Sequence, residues 1–164
     1  MTLSTLEPRK NMELLLRAFS EVQDSVDYDL VLVGRKGWKV DELIQKYDSN
    51  HRIHITGFIK DEHLNTIYRN AECFVFPSLY EGFGLPPVEA LSAGTPVISS
   101  DAASMPEVLR KQALYFKNDS EEELKRILLE LDTILPSLPR KPDEFQMGNY
   151  RFAEAAAGVI ELVK

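Results

Sequence analysis

Apolar residues along the chain alternate between two periodicities. Short, mostly apolar runs at 28–33, 73–76, 96–98 and 113–116 suit strands buried on both faces, as in a parallel sheet. Between them the apolar residues repeat at helical spacing. Met12, Leu15, Leu16, Phe19 and Val22 predict one helix, and Leu124, Ile127, Leu128 and Leu131 give another its apolar face. Residues 3–6 are a short strand candidate. Residues 52–56 alternate, with Ile53 and Ile55 on one face and His54 and Thr56 on the other. Helices are also expected over 40–47 and 62–70 and from Pro86-Pro87 to a stop at Gly94. Asn11, Asp61 and Ser120 are the expected N-caps.

Strand alternating with helix predicts an α/β, Rossmann-like three-layer domain, a parallel sheet of about five or six strands with helices on both faces. Residues 1–134 would form its body. The proline-rich stretch beginning at Leu135 breaks the helical pattern, so 135–148 is expected as a linker. Residues 149–164 would be a closing helix of the same domain.

The richest stretch runs from Cys73 to Glu107. A buried strand ends at Pro77-Ser78, and a loop with Glu81, Gly82, Phe83, Gly84 and Leu85 leads into the helix that carries Glu89. A glycine loop feeding a helix N-terminus favours a phosphate or diphosphate. Glu81 and Glu89 flank that anion site. Carboxylates repel phosphate but accept hydrogen bonds from sugar hydroxyls, so the pattern suits a nucleotide diphosphate-sugar better than a bare nucleotide.

Composition narrows the field. Lys and Arg number 19 against 26 Asp and Glu, a net charge of -7, which argues against non-specific nucleic-acid or anionic-membrane binding. A single cysteine excludes an internal disulfide and a thiolate metal cage, and the three histidines lack ligand spacing. No apolar run is long enough to span a bilayer, and none reads as a signal peptide, so the expected location is cytoplasmic. Neither Gly-x-Gly-x-x-Gly after the first strand nor a P-loop is present.

Glu81-Gly-Phe-Gly-Leu-Pro-Pro-Val-Glu89 and its flanks, PSLYEGFGLPPVEALSAGTPVISSD, resemble the Glu-x7-Glu region of retaining glycosyltransferases of the GT-B fold, in the large family four. Ser104 to Glu107 matches a family segment ending in Pro-Glu. The resemblance covers nearly the whole chain but one half of a GT-B enzyme, the donor-binding half. It implies an N-terminal acceptor domain that is missing here, through which the enzyme would lie at the cytoplasmic face of the membrane.

The resemblance also implies roles. Glu89 would accept the ribose hydroxyls. Glu81, the catalytic candidate, would hold a hexose hydroxyl and stabilise positive charge at the anomeric carbon. The backbone from Gly82 to Leu85, with Lys10, would hold the diphosphate, and backbone groups around Ile59 the base. Family members carry Gly-Arg-x-x-x-x-Lys near the first strand. Lys10 matches the lysine, whereas Ser4 and Thr5 stand at Gly-Arg, leaving Arg9 as a partial substitute. Arg35 or Lys36 would face the nucleotide, or else form a basic turn with Trp38 covering the sheet edge. No metal and no cofactor besides the nucleotide-sugar substrate are expected. The implied function is transfer of a hexose, mannose or glucose, to a hydroxyl acceptor in polysaccharide or glycolipid assembly. Alternatives are a non-catalytic nucleotide-binding module, or another GT-B activity such as a nucleotide-sugar epimerase or glycogen-type synthase.

Overall fold

The computed structural model describes residues 1–38 and 40–140. Six strands run in chain order: β1 Thr2–Leu3, β2 Leu30–Val33, β3 Ile53–Gly57, β4 Phe74–Phe76, β5 Val97–Ser100 and β6 Ala113–Phe116. They form two three-stranded parallel sheets, β1-β2-β3 and β4-β5-β6. The sheets meet between β1 and β4, where Met1 N donates to Cys73 O and Val75 N donates to Met1 O, both at 2.8 Å. The spatial order is therefore β3-β2-β1-β4-β5-β6. The chain reverses its direction of winding between β1 and β4, the position where ligands bind in open α/β sheets.

Among the described residues seven α-helices cover the faces: α1 Met12–Val22, α2 Asp41–Tyr47, α3 Asp61–Arg69, α4 Leu85–Ala93, α5 Met105–Leu109, α6 Glu121–Leu129 and α7 Leu131–Ile134. The pleat sends alternate residues to opposite faces. Val75 and Ile98 join Leu15, Phe19, Ile44, Leu124 and Leu128 in one core, under α1, α2 and α6. Phe74, Phe76 and Val97 join Tyr68, Ala90, Leu91, Met105 and Leu109 in the other, under α3, α4 and α5. That double burial is why these strands read as unbroken apolar runs. Edge strand β3 covers one face only. His54, on the open face, bonds Asp29 through Nε2 at 2.8 Å.

Asn11 stands at the N-cap position of α1 as expected, but two of the expected capping bonds are not made. Asn11 precedes α1 in the left-handed region (φ 52°) and makes no capping bond. Its side chain donates instead to Asn118 O at 3.1 Å, tying the start of α1 to the loop before α6. Lys60, not Asp61, is the N-cap of α3, and Asp61 is its first helical residue, where its charge still complements the helix dipole. Ser120 does cap α6, its hydroxyl accepting from Glu123 N at 3.2 Å.

The helical run ends at a 3-10 turn, Leu135–Ser137. Within the expected linker, Leu135 is buried and Leu138 packs against the same core, so 135–140 stay on the domain. The rest of the linker and the closing helix over 149–164 lie outside the described residues. Among the described residues no helix is long and apolar enough to cross a membrane.

Candidate active site

Arg9, Lys10 and Glu81 gather at the C-terminal ends of β1 and β4. After β1 a 3-10 turn, Pro8–Lys10, delivers two cations, and Leu79 N donates to Arg9 O at 2.9 Å, fastening that turn to the loop after β4. Lys10 and Glu81, 71 residues apart in sequence, form an ion pair between Nζ and Oε1. Arg9 Nη1 reaches Glu81 Oε2 at 3.2 Å and Tyr80 O at 3.4 Å, while its Nε pairs with Glu7 Oε1 at 2.6 Å. Lys10 is only 8% exposed, which its paired carboxylate and the Phe76 ring, 5.6 Å away, make tolerable.

Three serines fix the Glu81 loop. Ser78 Oγ donates to Glu81 Oε1 at 3.0 Å, Ser104 Oγ to Glu81 O at 3.1 Å and Ser100 Oγ to Ser78 O at 2.6 Å. Sequence reasoning did not single out Ser78 as part of the site. Its signal is a place two residues past the end of a buried strand and three residues before a carboxylate.

Gly84 precedes α4 with φ 76°, and a Cβ there would lie 2.5 Å from Met105 Cε, so only glycine fits without strain. Around Gly82 a Cβ would meet nothing within 4 Å, leaving that stretch open for a ligand. Pro86 and Pro87 lack N–H groups, so the start of α4 offers fewer donors than an ordinary helix. The backbone donors here come from the loop and Leu85, ahead of the prolines.

A cleft of about 460 Å³ opens beside the ion pair, lined by Thr5, Arg9, Lys10, Arg35, Phe58 and Ile59 among others. Arg35 lies over the Phe58 ring, its Cζ 4.1 Å from the centroid. Arg35 rather than Lys36 thus lines the cleft. Trp38 is 58% exposed, so it leaves most of its ring uncovered. Gly34, with φ 145°, lets β2 end against β1: a Cβ would fall 1.7 Å from Ser4 O. The Ser4 hydroxyl is buried without a partner among the described residues.

Glu89 does not line this cleft. It faces an adjoining groove of about 510 Å³ between α3 and α4, with Asp61, Leu64, Tyr68, Leu85 and Val88. Asp61 and Leu64 line both spaces. Tyr68 Oη donates to Glu89 Oε2 at 3.1 Å, a partner that sequence reasoning missed. Burial, and then the Glu89 charge, push the Tyr68 phenol above its ordinary range, so it stays a donor. Lys10, Arg9 and Glu81 are thus in contact, Ile59 shares the cleft lined by Lys10 and Arg9, and Glu89 stands next door. Among the described residues no three His, Cys, Asp or Glu gather as a metal site would require.

A sucrose-phosphate synthase from Thermosynechococcus elongatus superposes with a TM-score of 0.75 at 24% identity, over 99% of this chain and 44% of that one. HepE from Anabaena, solved with UDP, superposes with a TM-score of 0.68 at 22% identity, over 83% of this chain and 38% of its own. At these identities the likeness establishes the fold, that of one domain of a GT-B glycosyltransferase. In sequence, the chain is 43% identical over 112 residues to O-antigen chain mannosyltransferase B of Escherichia coli, covering 65% of this chain and 29% of the relative. It is 33% identical over 135 residues to the serotype-specific mannosyltransferase WbdA of Escherichia coli, covering 78% of this chain and 17% of the relative. The chain thus spans less than a third of the length of either relative. Residues 1–133 match the family described as glycosyl transferases group 1, and the chain belongs to that family.

Proposed function

We propose that this chain is the donor-binding part of a retaining hexosyltransferase that moves a hexose, mannose by preference, from a nucleotide diphosphate-sugar to a hydroxyl acceptor in polysaccharide or glycolipid assembly. The observation that carries it is the convergence of Lys10 and Arg9 on Glu81 beside the cleft that these two cations line together with the segments after β2 and β3. Two cations and a carboxylate are what a diphosphate joined to a sugar requires: cations for the leaving group, an acceptor for a hydroxyl. The preference for mannose rests on the names of the sequence relatives.

In this scheme the residues take the roles that the family resemblance implies. The diphosphate takes Lys10, Arg9 and the loop N–H groups from Gly82 to Leu85. The base lies along Ile59 and Phe58, and Glu89 takes the ribose hydroxyls. Glu81 holds a hexose hydroxyl and faces the positive charge that develops at the anomeric carbon as the bond to phosphate breaks. With Lys10 and the loop carrying the leaving-group charge, no metal is required by this scheme. A further domain holds the acceptor.

The test is a calorimetric titration of the chain with GDP, UDP and ADP, first without and then with Mg²⁺. Saturable, metal-independent binding of one nucleotide supports the assignment and names the base. No binding of any of the three overturns a preformed donor site.

A further inference from the structure

Glu89 is the outlying member of the site, and its partner is unusual for an exposed carboxylate. Tyr68, on α3, is 2% exposed. Its ring packs edge-on against Phe74 with centroids 5.5 Å apart. Its carbonyl accepts from Thr95 Oγ1 at 2.6 Å, from a threonine 1% exposed, and also from Ala71 N at 3.0 Å. The phenol is therefore anchored at both ends, by its ring in the core and by its own backbone. Only its hydroxyl reaches the groove, and there it donates to Glu89 Oε2.

A glutamate has three side-chain torsions, and one on an exposed helix face ordinarily samples many of them. A fixed donor on one carboxylate oxygen removes most of that freedom. It also divides the carboxylate's labour. Oε2 accepts from Tyr68, and an ionised carboxylate offers about four lone-pair sites, so Glu89 keeps acceptor capacity on the groove that it lines. Two adjacent hydroxyls on a five-membered ring present two donors to such a carboxylate. A swinging carboxylate would lose the register between them.

We infer that Tyr68 is a positioning residue: it sets Glu89 in the orientation that reads the vicinal hydroxyls of the donor's ribose, and so governs the preference for ribonucleotide over 2′-deoxyribonucleotide. This deepens the assignment of Glu89 to the ribose and rests on it. Tyr68 itself touches no substrate. Tyr68→Phe keeps the ring in the core and removes only the anchoring donor.

The experiment measures, by calorimetry, the affinity ratio between GDP, UDP or ADP and the matching 2′-deoxynucleotide, for the unaltered chain, Tyr68→Phe and Glu89→Ala. Any loss of fold stability scales both nucleotides equally and leaves the ratio alone. Glu89→Ala is expected to abolish the ribose preference, and Tyr68→Phe to shrink it by about three- to tenfold, the worth of one hydrogen bond. An unchanged ratio in Tyr68→Phe, with the ratio lost in Glu89→Ala, overturns the positioning role and leaves the ribose assignment standing. An unchanged ratio in Glu89→Ala overturns both.

Discussion

Lys10 Nζ and Glu81 Oε1 are paired at the switch point of the sheet, in the place where the diphosphate and the sugar of a donor would meet. The same lysine therefore has two claimants, its own glutamate and an incoming phosphate. Ser78 and Arg9 are the carboxylate's other partners, so both Glu81 oxygens are engaged by the protein. Binding a diphosphate would draw Lys10 away and release a carboxylate oxygen towards the sugar.

Glu81→Gln should separate those two claims. Losing a charge-assisted bond to a poorly exposed lysine should lower ligand-free stability by about 1.5–3 kcal/mol. It should also raise affinity for a nucleoside diphosphate without sugar, because Lys10 no longer has to be taken from a carboxylate. The expected gain is about three- to tenfold, read by calorimetry alongside the urea midpoint. Weaker diphosphate binding would show that Glu81 does not compete for Lys10. Transfer to an acceptor by an enzyme carrying this variant should be lost in either case.

The two loop glycines should behave differently. Gly84→Ala forces a Cβ onto a residue with φ 76° and against Met105, which should cost about 1–2 kcal/mol from the backbone alone. Met105 has a flexible end that can move aside, so trimming it would relieve only part of the loss. Gly82→Ala meets nothing within 4 Å and should leave the urea midpoint nearly unchanged. If the Gly82 backbone lies against the diphosphate, that variant should still bind nucleotide more weakly. Equal affinity in Gly82→Ala would place the ligand elsewhere.

Much of this was legible in the sequence because it was written locally. The strand ending at Phe76, the glycine loop and the helix start at Leu85 are set by burial on two faces and by Gly and Pro punctuation, all within a few residues. Relations across the fold were not. Nothing near Lys10 marks Glu81 as its partner, since their meeting depends on β1 lying beside β4. Ser78 and Tyr68 are common residue types whose roles come only from what the fold brings against them. Two capping bonds failed for a related reason. Asn11 and Asp61 are good capping residues, but Asn11 is used by the neighbouring loop, and the chain enters α3 one residue earlier, at Lys60.

Glu89→Ala tests the groove. On the proposed ribose role it removes up to two charge-assisted hydrogen bonds, each worth about 1.5–3 kcal/mol, so nucleotide affinity should fall at least tenfold. Glu89 lies past the first turn of α4, so a merely structural Glu89 would contribute only its bond from Tyr68, about 0.5–1.5 kcal/mol to stability, and nothing to binding. Calorimetry and thermal melting on the same variant distinguish the two. Unaltered affinity with a lower melting point would remove Glu89 from the site.

Away from the site, Asp29 should set part of the acid stability. The hydrogen bond from His54, and then that from Arg52, hold its carboxyl below the ordinary value of 3.8. Its folded form thus binds a proton less readily than its unfolded form. The stabilisation is present above the unfolded value and disappears as pH falls through the lower folded value. Asp29 is well exposed, so salt should weaken the effect. Asp29→Asn should therefore lower the urea midpoint at pH 6 and make the fall between pH 5 and pH 3 shallower, approximately within the carboxylate titration range. Parallel curves for the two proteins across that range would mean that the bonds from His54 and Arg52 do not persist in solution. His54→Gln, which takes away the larger cause while leaving Arg52 in place, should reproduce part of the same flattening.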